Sequence, residues 1–205
     1  MSDHLITTVE QLEALYGERM PASVAKEIDH VDANYRALIE ASPFLTVATA
    51  GPEGLDCSPK GDAPGFVRVL DDKTLAIPDR PGNNRLDGFR NIVRDPRIAL
   101  LFLIPGCGET LRVNGRASIS VDPALMQSFA VSGKLPRCVL LVHVEAVYFH
   151  CAKAIMRSKL WDEASKVDRK SLPSTGTIIA ELSRGKLGGA QYDRELPERH
   201  KAMLY

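Results

Sequence analysis

The sequence predicts a mainly β fold with flanking helices, built as a small antiparallel barrel. Two observations carry this. About six strand-like segments follow one another from Phe44 to His150, mostly joined by hairpin-length turns, and one of them, TLRVNGRASISV, alternates cleanly with period two. A third observation is an absence. No GxGxxG turn is present, so a dinucleotide-binding parallel sheet is not indicated.

The first forty residues read as helical. Thr8 and Gln11 form a capping box, Leu12 and Leu15 supply an apolar side, and Gly17 sits where a helix stops. A second helix is expected over Ala33–Ala41, ending before Pro43. PFLTVATA is β-branched and apolar and runs into the turn cluster GPEG. LDCSPKGD follows as a short polar strand, and FVRVL and TLAIP form a hairpin around Asp71, Asp72 and Lys73. RIALLFLIPG is continuously apolar, which predicts a strand buried on both faces.

In TLRVNGRASISV, Leu111, Val113, Gly115, Ala117 and Ile119 share one face and Arg112, Asn114, Arg116 and Ser118 the other. CVLLVHVEAVYF repeats the pattern, with Leu140, Val142, Val144 and Ala146 opposite His143 and Glu145. A tail helix is expected to begin near Ser174 or Thr175 and to include Ile178, Ile179 and Leu182. The apolar end of QYDRELPERHKAMLY is expected to pack on the body or on a partner subunit. The division read from the chain is an N-terminal helical segment (1–42), a barrel core (43–151) and a C-terminal helical segment (152–205) belonging to the same domain.

Composition narrows the function classes. In 205 residues, 26 basic and 26 acidic side chains balance, so a nucleic-acid footprint is not expected. No apolar run approaches the roughly 20 residues that cross a bilayer. The polar, acidic opening MSDHLITTVEQLEALYG is unlike a secretory signal, so the expected location is cytoplasmic. Cys57, Cys107, Cys138 and Cys151 are scattered without a CxxC pair and read as reduced thiols. His143, His150 and Cys151 match no zinc-finger spacing, and no metal is expected. The sequence also lacks GxxxxGKS/T, HExxH and GxSxG.

Four segments carry candidate chemistry. In IPDRPGNNRLDGFRNIVRDP, Leu86, Phe89 and Val93 recur at helical spacing, so a helix is expected from about Asn84 to Asp95 with Asn83 or Asn84 as N-cap. Arg80 and Arg85 then crowd the positive end of the helix dipole, a placement that becomes favourable if an anion binds there. The alternative is that Arg85 reaches only to Asp79 or Asp87. In SPKGD, Ser58 and Lys60 point the same way if the strand persists, with Pro59 and Gly61 marking a barrel rim; alone, Lys60 reads equally as a solvated lysine. The polar face Thr110, Arg112, Asn114 is either a solvent face or the lining of a groove or interface. In HCAKAIMRSKLW, Lys153 and Arg157 lie four apart with Trp161 one step on, which is either a ligand-binding stripe or a solvated face anchored by the indole.

These segments, in this order, resemble the FMN-binding split-barrel superfamily of pyridoxamine 5′-phosphate oxidase-like proteins. The resemblance runs over PFLTVAT, SPKGD, PGNNRLDGFRNI, RIALLFLI and ETLRVNGRA, roughly Pro43 to Ala117. HCAKAIMRSKLW and LPERHKAMLY extend it to a narrower branch of FMN-dependent enzymes without an assigned substrate. It implies an antiparallel split β-barrel and a homodimer with two FMN sites, each built from both subunits. It places Asn83, Asn84 and Arg85 at the phosphate, Ser58 and Lys60 along the isoalloxazine, Thr110 and Arg112 on a strand reaching the flavin, and Lys153 and Arg157 closing the site. The tail GGAQYDRELPERH lacks the Trp and Arg-Leu-His of true pyridoxamine-phosphate oxidases, which argues against that substrate. The implied function is an FMN-binding oxidoreductase transferring a hydride between flavin N5 and a small-molecule substrate. The alternatives are a non-catalytic flavin-storage or flavin-sensing protein and a haem- or deazaflavin-binding member of the fold.

Overall fold

The computed structural model describes residues 4–205. Seven strands form one antiparallel sheet: β1 (Phe44–Gly51), β2 (Gly54–Gly61), β3 (Arg68–Asp71), β4 (Thr74–Pro78), β5 (Arg97–Leu103), β6 (Thr110–Ser120) and β7 (Val139–His150). Their order is β2-β1-β5-β6-β7-β4-β3, so β2 and β3 are edges and the barrel is split between them. Among the described residues eight α-helices flank it: α1 (Val9–Tyr16), α2 (Pro21–Ala25), α3 (Ala33–Ala41), α4 (Asp87–Arg94), α5 (Pro123–Ser128), α6 (Lys153–Ser158), α7 (Thr175–Leu182) and α8 (Gly189–Ala202). This is the split barrel that the sequence predicted, with one strand more than the six counted there.

The core follows the period-two rule. Leu45, Val47, Leu100, Phe102, Leu111 and Val113 project inward from β1, β5 and β6 and are buried. α3 closes over this core with Tyr35 and Ile39, its N-cap Asp32 accepting from the Tyr35 N–H. Pro59 lies on edge strand β2, where a missing N–H costs no ladder bond.

The structure changes four expectations. In β5, Ile98, Leu100 and Phe102 are buried, but Ala99, Leu101 and Leu103 are only half-buried. Their face is the outside of the sheet, so β5 alternates and is not covered on both sides in the single chain. In β7 the inward alternation holds through Val144 and then slips. Gly115 pairs with Val144 but Asn114 with Ala146, so Glu145 is bulged out and Val147 takes the core position expected for Ala146. The bulge needs Gly115, because a Cβ there would lie 2.0 Å from the His143 carbonyl oxygen.

α1 has the Thr8–Gln11 capping box and the Gly17 stop, yet Leu12 and Leu15 are exposed and no residue of this helix is buried. The apolar stripe set by spacing therefore faces no partner among the described residues. The Lys153–Arg157–Trp161 stripe is also broken. α6 ends at Ser158, Lys159 turns left-handed at φ 52°, and Trp161 instead donates Nε1–H to the Cys107 carbonyl at 2.7 Å. Among the described residues no helix is long and apolar enough to cross a membrane.

Candidate functional site

A cleft of about 710 Å³ opens at the split, between edge strand β2 and the end of β4. That volume lies in the range of small-molecule and cofactor sites, roughly 300–1,000 Å³. Its floor is apolar, with Val47, Phe66, Phe89, Ile92, Ile119 and Leu140 among its lining residues. Asp56, Ser58 and Lys60 reach it together because they alternate along β2 on the inward face, paired with Thr49, Val47 and Leu45. One side is the irregular segment from Asp79 to Leu86, which leads into α4.

α4 is held tightly at this end of the barrel. Asn91, which is buried, donates Nδ2–H to Thr49 Oγ1 at 3.2 Å and to the Gly54 carbonyl at 3.3 Å. Gly88 lets the first turn approach β2, since a Cβ there would meet Asp56 Oδ2 at 2.7 Å. The helix begins at Asp87 and not at Asn84, with Leu86 in the cap position at φ 64° and no side chain capping the first turn. Asn84 is also left-handed at φ 60°, and Asn83 Oδ1 accepts from the Arg85 N–H at 3.1 Å. The two asparagines therefore shape a turn ahead of the helix and leave its amino-terminal N–H groups uncapped. An uncapped helix start is a site for an anion.

Among the described residues, the cations of the cleft are arranged in pairs, with one exception. Lys60 Nζ lies 2.5 Å from Asp79 Oδ1 and 5.0 Å from the centre of the Phe89 ring. Arg80 Nε donates to Asp62 Oδ2 at 2.8 Å and its Nη1 to the Phe129 carbonyl at 2.9 Å. It therefore braces the wall rather than the start of α4. Arg85 pairs with Asp87 at 2.7 Å and remains exposed. Arg137, whose N–H donates to the Asp79 carbonyl, lines the same cleft and has no ion-pair partner among the described residues. Cys138 beside it is buried, and burial, followed by the Asp79 carboxylate, pushes its thiol up to about 11.

Six of the ten candidate residues thus share one cleft: Ser58, Lys60, Arg80, Asn83, Asn84 and Arg85. Thr110, Arg112, Lys153 and Arg157 lie elsewhere. Thr110 and Arg112 alternate with core residues Leu111 and Val113, so they project from the outer face of the sheet while Ser58 and Lys60 project from the inner one. Arg112 donates to Tyr148 Oη at 2.8 Å. The nearby His150 Nε2 is buried without a partner among the described residues, and burial, then Arg112 and Lys26, hold that imidazole below its ordinary value. α6, with Lys153 and Arg157, adjoins this outer patch, for a Cβ on Gly108 would meet that of Ala152 at 2.7 Å. Arg137 is the cleft cation that the sequence reading missed. It sits in a turn, LPRC, with no periodicity to single it out.

A split barrel with an apolar, cation-lined cleft at its seam describes a class of small-ligand-binding proteins. Residues 31–151 match the family model of pyridoxamine 5′-phosphate oxidase, and the chain belongs to that family. No protein of curated function matches it in sequence. Among solved structures it is similar to HupZ of Group A Streptococcus, at 24% identity over 57% of this chain and 91% of the other, with a TM-score of 0.46. It is also similar to General Stress Protein 26 of Bacillus anthracis, at 14% identity over 55% and 88% of the two chains and a TM-score of 0.43. Rv2991 of Mycobacterium tuberculosis shares 15% identity over 70% and 97%, with a TM-score of 0.43.

Proposed function

We propose that the cleft holds FMN and that the protein is an FMN-dependent oxidoreductase acting on a small-molecule substrate. One observation carries the reading: an apolar floor meets an uncapped helix start and a group of cations within one cleft. A flat ring suits the floor, and a phosphate suits the Asn83–Arg85 turn, the free N–H groups of α4 and the unpaired Arg137. Ser58 and Lys60 would lie along the ring. Bound there, FMN supplies two-electron chemistry at N5, while the protein positions it and tunes its charge.

Lys60 sets the electrostatics at the ring edge. Its charge is partly offset by Asp79, so the pair delivers a field weaker than a bare cation and tunable by either residue. The apolar floor excludes water and strengthens each remaining interaction.

The outer patch fits the same reading through a second copy. Ala99, Leu101 and Leu103 form a half-buried strip on the outside of β5, beside Thr110 and Arg112. Docking a second copy on this strip would cover it and enclose the outer patch that holds Thr110, Arg112, Lys153 and Arg157 between the two chains.

The test is the visible absorbance of the purified protein, followed by titration of the apo form with FMN, riboflavin and haem. A two-banded flavin spectrum and binding that favours FMN over riboflavin are expected. A protein that takes no flavin, or that gains a Soret band with haem in its place, overturns the reading.

A further inference from the structure

We propose that a second cleft adjoining the first is the substrate subsite, and that it takes a small organic anion with a flat apolar body. Calling its ligand the substrate rests on the FMN reading; the binding site itself does not.

The second cleft has a volume of about 640 Å³ and shares Gly61, Arg80, Pro81, Gly82 and Asn83 with the first. The two spaces are thus neighbours across one loop, and Gly61 follows directly on Lys60. The opposite wall is α8. Tyr192, Leu196, Arg199, His200 and Met203 line the cleft, and their spacing of 4, 7, 8 and 11 residues from Tyr192 places them on one helical stripe. α8 buries no residue, so core packing does not use this stripe.

The chemistry of the stripe is mixed and one-signed. Among the described residues, the one side-chain carboxylate lining the cleft, Asp62, is already matched by Arg80 at 2.8 Å and accepts from Tyr205 Oη at 2.7 Å. Arg199 stacks on the Tyr192 ring, 4.8 Å from its centre, and has no ion-pair partner among the described residues. Its neighbouring carboxylates are engaged elsewhere, Glu198 with Lys201 and Glu195 with Gln191. A guanidinium steadied on an aromatic face and left without a counter-ion is suited to bidentate binding of a carboxylate or phosphate. Tyr192, Leu196 and the Tyr205 ring supply the surface for an apolar body.

The experiment is calorimetric titration of the FMN-saturated protein with phenyl phosphate and benzoate, and with benzyl alcohol as the uncharged control. Both anions are expected to bind, and Arg199→Ala to weaken them about tenfold while leaving benzyl alcohol and FMN affinity unchanged. Tyr192→Ala is expected to weaken all three probes. Wild-type protein that ignores the anions, or Arg199→Ala protein that binds them equally well, overturns the proposal. Loss of FMN binding in Arg199→Ala also overturns it, by placing Arg199 in the first cleft. If the wild type takes no FMN yet binds the anions in an Arg199-dependent way, the anion site stands and the flavin reading falls.

Discussion

Lys60 and Asp79 join the two margins of the split barrel, Nζ to Oδ1 at 2.5 Å, with only 21% and 12% of their side chains exposed. No ladder hydrogen bond connects edge strand β2 to β4, so this pair and Arg80–Asp62 span the opening. A largely buried ion pair contributes little net stability, but removing one partner strands the other charge. Lys60→Met is therefore expected to cost about 1–3 kcal/mol, a fall in Tm of roughly 3–10 °C for a chain of this size. The double variant Lys60→Met/Asp79→Asn should recover most of that loss. Thermal unfolding of these two variants and of Asp79→Asn alone checks it, and additive losses would mean that the pair is not coupled.

The same pair predicts the behaviour of bound flavin. In the proposed FMN complex, Lys60→Met would remove a positive charge beside the ring and should lower its reduction potential, whereas Asp79→Asn would unmask that charge and should raise it. Shifts of about 30 mV, equivalent to about 1.4 kcal/mol for a two-electron couple, are expected in opposite directions. Spectroelectrochemical titration reads both, and an unchanged potential in both variants would place the ring away from Lys60.

Elsewhere in the cleft, Arg85 is exposed and paired with Asp87, while Arg137, also exposed, has no carboxylate partner among the described residues. An unpaired cation gives its full charge to a ligand, so Arg137→Ala should weaken FMN more than Arg85→Ala does. Both should spare riboflavin, which lacks the phosphate, and losses of about ten- to hundredfold correspond to one charge-assisted contact. Equal weakening of FMN and riboflavin would remove both residues from the phosphate.

Much of this was legible in the sequence because it is local. Ser58 and Lys60 share a face because strands have period two, and the Thr8 cap and the Ser174 helix start are read from one turn of chain. What the sequence concealed depends on segments meeting. Asn83 and Asn84 have the chemistry of N-caps, but two left-handed residues delay the helix to Asp87. Val93, chosen by spacing, is exposed, and Asn91, polar by composition, is buried because Thr49 and the Gly54 carbonyl satisfy it. Spacing places Arg80 at the amino terminus of the helix beside an anion, yet its partners Asp62 and Phe129 lie 18 and 49 residues away. The face of α8 in the second cleft was invisible, since Tyr192, Leu196 and Arg199 acquire meaning only opposite the Arg80–Asn83 loop.

The bulge between β6 and β7 depends on one glycine. A methyl group at position 115 would sit 2.0 Å from the His143 carbonyl oxygen and 3.0 Å from its carbon, both rigid backbone. Gly115→Ala must therefore open the pairing of the two longest strands or erase the bulge. Either outcome is expected to cost about 3 kcal/mol or more, seen as a Tm lower by roughly 6–12 °C. Unchanged stability would mean that the bulge relaxes freely.

Tyr205 ties the last residues of the chain to the body through Asp62, donating Oη–H to Oδ1 at 2.7 Å. Burial alone would push the Asp62 carboxyl up. Hydrogen bonds from Tyr205, the Ala63 N–H and Arg80, with the charge of Arg80, outweigh it and hold the group below its ordinary 3.8. A carboxyl lowered in the folded state contributes its stability in full above pH 3.8 and loses it as pH falls through the folded value. Tyr205→Phe removes one donor and moves the folded value back toward the ordinary one. The variant should be less stable by about 1 kcal/mol at pH 7, with its acid-unfolding midpoint shifted to higher pH. The difference from wild type should shrink as both carboxyls become protonated. Far-UV circular dichroism across pH 7 to 2 measures this, and an acid midpoint identical to that of the wild type would show that Tyr205 does not hold Asp62 in solution.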